Sequence, residues 1–91
     1  MAHVYVKLKV MPESPDTDLQ ALKEKCKQKI VDFGGNVHDI EQQPIAFGLN
    51  AIILTFAYDE KKGTPDQLEE SITALDEVTS VETIDVRRAI G

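Results

Sequence analysis

The chain has 91 residues, a formal net charge of −6 and a sequence pI near 4.7. That length bounds it to one small domain, residues 1–91, with a core of about two layers. The acidic balance weighs against direct contact with nucleic acid or an anionic membrane, which both recruit basic faces. It suits a basic protein partner and is equally explained by solubility. Cys26 is the only cysteine, so no disulfide framework exists. No apolar run approaches the roughly 18 residues of a membrane span. Met1-Ala2-His3 leads straight into a strand pattern rather than a leader. The expected setting is the cytoplasm.

Val4, Val6, Leu8 and Val10 alternate with Tyr5, Lys7 and Lys9, which predicts a half-buried first strand. Pro12 and Pro15 end it. Thr17 with Gln20 predicts a capping box at the start of a helix. Leu19, Leu22, Cys26, Ile30 and Phe33 then form one apolar stripe, with Lys23, Lys25, Lys27 and Lys29 on a solvated face. Gly34-Gly35 stops the helix. Val37 to Gln43 predicts a weaker strand, with Val37 and Ile40 out of step as at a bulge.

Pro44-Ile45-Ala46-Phe47-Gly48 is a loop with apolar residues where polar ones are usual. Such a tip either folds back on the core or is offered to a partner. Leu49 to Tyr58 is the most apolar stretch and the predicted central strand. Ile52, Leu54 and Phe56 line one face; Ala51, Ile53, Thr55 and Ala57 line the other. After the charged turn at residues 59–63, Thr64 is placed as the cap of a second helix, with Pro65 opening it and Leu68, Ile72 and Leu75 as its stripe. Glu69, Glu70, Asp76 and Glu77 make it acidic. Val81 to Gly91 is the last strand, and it carries the only two arginines, Arg87 and Arg88. Alternation sends this pair to opposite faces.

The order βαββαβ predicts an α+β, ferredoxin-like split βαβ domain, with two helices on one face of a four-stranded antiparallel sheet. The first and third strands would be central and the last an edge. Fold alone assigns no function, so the chemistry must be sought in side chains. His3 and His38 have no second ligand at metal spacing, and Cys26 has no imidazole placed to activate it. Tyr5 is a lone stacking candidate without a basic surface. The first loop, residues 11–18, holds no cation for an anion site. Neither catalysis nor a cofactor is expected.

Val10-Met11-Pro12 through Thr17-Asp18-Leu19, the Pro44–Gly48 loop, Gly63-Thr64 with Leu68-Glu69-Glu70, and Asp85-Val86-Arg87-Arg88 together resemble the elongation factor 1-beta family. The likeness is to its short archaeal form and to the exchange domain of the eukaryotic beta and delta subunits, and it spans essentially the whole chain. It implies exchange of GDP for GTP on elongation factor 1-alpha. Family members insert their C-terminal end near the nucleotide's Mg²⁺ and switch region while other surfaces hold a second domain of the GTPase. By carry-over, Phe47 with Ile45 and Gly48 is placed at the partner surface, although Ala46 stands where the family has glycine. The eukaryotic lysine next to the last residue aligns with Gly91, and no lysine follows Lys62, so that mechanism does not transfer. Either Arg87 or Arg88 supplies the charge, or Ile90 and the terminal carboxylate act as a wedge. Against this stands a purely structural role, with the arginines closing the sheet edge by pairing with Asp85 or a helix end. The alternative function is a small-ligand-binding regulatory domain of the same fold.

Overall fold

The computed structural model describes residues 2–90, with the side chains of Ala2, Ala89 and Ile90 outside the described set. Six main elements follow one another: β1 (Ala2–Pro12), α1 (Leu19–Phe33), β2 (Asn36–Pro44), β3 (Asn50–Asp59), α2 (Asp66–Thr73) and β4 (Val78–Ile90). The strands form one antiparallel sheet in the order β2-β3-β1-β4. This is the expected ferredoxin-like arrangement, with β1 and β3 central and β4 at an edge.

Register explains the layering. Val6, Leu8 and Val10 lie opposite Phe56, Leu54 and Ile52. These six pack under Leu22, Cys26 and Ile30 of α1 and Leu68 and Ile72 of α2 in one buried cluster. Among the described residues, neither α1 nor α2 lies over the other face of the sheet. There Lys7 sits between Asp85 and Thr55, and Lys9 between Glu82 and Ile53. Ile53 is nonetheless only 6% exposed. Long charged side chains can cover such a residue with their alkyl stems.

Phe56 is the largest fully buried side chain. Phe56→Ala should cost about 3–5 kcal/mol, a large part of the ~5–15 kcal/mol typical of a folded domain. Urea unfolding checks this; a loss below about 1 kcal/mol would remove Phe56 from the core.

Several boundaries differ from expectation. The N-cap of α1 is Asp18, not Thr17: the Asp18 carboxylate accepts the Ala21 N–H at 3.2 Å. A carboxylate also complements the positive end of the helix. Thr17 instead closes a turn, its N–H donating to the Ser14 carbonyl at 3.1 Å. At α2 the cap is Pro65, with no side-chain cap bond. The Thr64 hydroxyl is drawn to the Asp66 carboxylate at 3.1 Å. Leu75, expected within α2, lies beyond its end and is half-buried. Gly34 ends α1 as predicted, at φ 100°. The bulge expected in β2 falls between Val37 and Asp39. A second lies in β4, where Asp85 faces Lys7 and Thr83 faces Leu8, so Ile84 is the extra residue.

Candidate partner-docking site

The hairpin between β2 and β3 closes through Ala46, Phe47 and Gly48. The Leu49 N–H donates to the Ala46 carbonyl at 3.3 Å, and the Ile45 N–H to the Leu49 carbonyl at 2.7 Å. Phe47 has φ 64° and ψ 27°, and Gly48 has φ 78°. These are the positive dihedrals of a type I′ turn, which normally selects Asn-Gly. Phe47 is the only non-glycine residue with positive φ among the described residues. Its side chain is 93% exposed, whereas Ile45 is half-buried. Of the two readings of the apolar loop, Phe47 follows the outward one.

The tail lies at the other end of the sheet. Arg88 is opposite Val4, whereas Ile52, near the loop, is opposite Val10. Those levels are six strand residues apart, about 20 Å, and the loop continues beyond. The sheet therefore sets the spacing between the two predicted regions and does not bring them together.

Both arginines are paired. Arg87 Nε donates to Asp85 Oδ2 at 3.1 Å on the uncovered face. Arg88 meets Glu60 at 2.7 Å on the helix side. The Asp85 partner was among those expected; Glu60 was not, because nothing in a local pattern links two residues 28 positions apart. Ile84 and Val86, on the same strand, are also exposed. The eight-residue α2 is too short to cover the thirteen-residue β4, a mismatch that element lengths alone could have revealed. Ile90's side chain and Gly91 lie outside the described residues.

Among the described residues, no three His, Cys, Asp or Glu side chains gather as a metal site. His38 instead stands beside Tyr5, ring centroids 5.7 Å apart. Cys26 is fully buried. Burial, and secondarily the Glu77 carboxylate, pushes its thiol up from 9.0 to about 12, so it is no nucleophile at neutral pH. Between those values the unfolded chain releases the thiol proton and the folded chain keeps it. Stability should therefore fall as pH rises from 9 towards 12. Cys26→Ala should flatten that slope in urea titrations; an unchanged slope would contradict the burial argument. The Glu77 carboxyl is held below the usual range, chiefly by its hydrogen bond from Lys25 and then by a backbone N–H.

Comparison with known proteins agrees with this architecture. A family model described as the EF-1 guanine nucleotide exchange domain matches residues 5–89. The elongation factor 1-beta of Methanosphaera stadtmanae is 48% identical over 88 residues, covering 97% of this chain and 98% of that protein. That of Methanothermobacter thermautotrophicus is 41% identical over the same shares. Among solved structures, the ACT domain from GTP pyrophosphokinase of Chlorobium tepidum superposes with a TM-score of 0.63 at 15% identity, over 91% of this chain and 88% of that one. At that identity the likeness carries the fold alone. No helix among the described residues is long and apolar enough to cross a membrane. With a matching family model along almost its whole length and archaeal relatives near half identity, the chain belongs to the elongation factor 1-beta family of translation elongation factors and carries its guanine nucleotide exchange domain.

Proposed function

We propose that residues 1–91 act as a single exchange domain on elongation factor 1-alpha, in the cytoplasm, speeding replacement of GDP by GTP through binding alone. The observation that carries this is the exposed Phe47 on a strained turn, set across the sheet from an exposed arginine pair. Strain kept at an exposed aromatic is a mark of a functional contact. In this reading Ile45, Phe47 and Gly48 hold one part of the GTPase. The tail, with Arg87, Arg88 and Ile90, enters the region of the nucleotide's Mg²⁺ and switch segment.

No covalent step is needed. Mg²⁺ on the GTPase would help hold the diphosphate. A guanidinium brought beside that site would displace the ion by like-charge repulsion or reshape its ligands, and the hold on the diphosphate would weaken. Exchange requires the domain to bind the nucleotide-free GTPase more tightly than the GDP-bound form. A hundredfold faster release corresponds to a barrier lowered by about 2.7 kcal/mol. Neither a bound cofactor nor direct contact with nucleic acid or membrane enters the scheme.

Release of a fluorescent GDP analogue from the cognate elongation factor 1-alpha tests it, measured at several Mg²⁺ concentrations. Acceleration that shrinks once Mg²⁺ has been chelated is the expected result. Acceleration independent of Mg²⁺ would retain the function and move its mechanism away from the metal. No acceleration would overturn the reading in favour of a small-ligand regulatory domain.

A further inference from the structure

The two arginines of the tail are not equivalent. Arg87 pairs with Asp85, two residues back on the same strand. Both partners ride on β4, so the contact ties the tail to nothing else, and the Arg87 side chain stays 81% exposed. Arg88 reaches across to Glu60, in the turn that follows β3. That turn is braced. The Asp59 carboxylate accepts the Lys61 N–H at 3.0 Å, and the Gly63 N–H donates to the Glu60 carbonyl at 3.0 Å. The Tyr58 hydroxyl donates to the Gly63 carbonyl at 2.8 Å. Arg88 is thus anchored to a fixed point on the body of the fold.

An exposed ion pair adds little to global stability. The end of a terminal strand, however, opens locally at low free energy. A small gain there changes how often the last residues leave the sheet. We infer that Glu60 and Arg88 are a positioning pair that holds the end of β4 in register, and that Arg87 is the cation presented to the GTPase's anionic nucleotide site. This rests on the exchange function proposed above. Arg87 suits the role because its only partner among the described residues is a local carboxylate, which a phosphate or a metal-binding carboxylate can replace. Arg88 could be presented only by giving up its anchor.

The test uses the full chain and two readouts: amide hydrogen exchange of residues 84–90 in the free protein, and stimulated GDP release as a function of its concentration. Arg87→Gln should lower the maximal acceleration about tenfold, the loss of one charge-assisted contact, with tail amides unchanged. Glu60→Gln and Arg88→Gln should speed tail amide exchange about threefold or more and raise the half-maximal concentration while leaving the maximum nearly intact. Arg88→Lys should rescue both readouts, because a lysine can still reach Glu60. The double variant Glu60→Arg with Arg88→Glu should restore amide protection. The inference falls if Arg88→Gln lowers the maximum while Glu60→Gln changes neither readout, since Arg88 would then be the presented cation. It falls equally if the double variant leaves the amides unprotected. Failure of the wild-type chain to stimulate release would instead defeat the exchange function, and the amide readout would still decide whether Glu60 positions the tail.

Discussion

A chain ending at Val86 is expected to stay folded and to leave GDP release from elongation factor 1-alpha at its uncatalysed rate. The sheet register gives the reason for the first half. Val6, Leu8 and Val10 keep their β4 neighbours Val86, Thr83 and Val81. What goes is the pairing of β1 residues 2–5 with β4 residues 87–90, together with the Arg88–Glu60 contact. Of the described side chains removed, Arg87 and Arg88 are both exposed. Exposed ladder ends and surface ion pairs contribute weakly, so the loss should be about 1–2 kcal/mol. Circular dichroism should keep its native shape, with the thermal midpoint lowered by roughly 4–15 °C for a domain of this size. For function, removing both cations removes the whole effect on the metal site, about 2.7 kcal/mol for a hundredfold acceleration. The shortened chain keeps the Phe47 loop, so it should still compete weakly with the intact protein for the GTPase. A folded truncation that accelerates release would refute the tail mechanism.

How much of this was legible in the sequence depended on how local the determining interaction is. The strands and α1 were readable because their apolar periods are local, and the two helical stripes could be buried together in few ways. The N-caps were misplaced by one residue because hydroxyl and carboxylate side chains compete for the same role. At α1 the Asp18 carboxylate won that competition over Thr17; at α2 the Thr64 hydroxyl is taken up by Asp66, and Pro65 stands at the cap without a side-chain bond. The exposure of Phe47 was not readable. The turn type depends on two dihedrals, and a Phe-Gly pair does not announce a type I′ turn as Asn-Gly does. The pairing of Arg88 with Glu60 depends on β1 being flanked by both β3 and β4, a property of the assembled sheet. Glu60 therefore emerged only from the fold.

Replacing Phe47 with glycine should move stability and partner binding in opposite directions. At φ 64° an L side chain costs about 1–2 kcal/mol that glycine does not. Glycine's larger unfolded-state entropy takes back roughly 0.5–1 kcal/mol. The phenyl ring, 93% exposed, contributes almost no packing to be lost. The net is a gain of about 0.5 kcal/mol, or a rise of roughly 2–4 °C in thermal midpoint. Binding should behave otherwise, because an exposed aromatic that fills a partner pocket typically contributes about 2 kcal/mol or more, some 30-fold in Kd. Phe47→Ala separates the two effects. Alanine also lacks the ring but keeps a Cβ at the same positive φ, so binding should fall equally with no gain in midpoint. Calorimetry on the free proteins and titration against nucleotide-free elongation factor 1-alpha give both quantities. A lowered midpoint for Phe47→Gly would mean the ring packs on its own chain. Unchanged affinity would mean the hairpin tip is not part of the interface. A residue whose removal stabilises the monomer and weakens the complex is held in its conformation for the sake of the partner, and Phe47 has the exposure and the backbone geometry of such a residue.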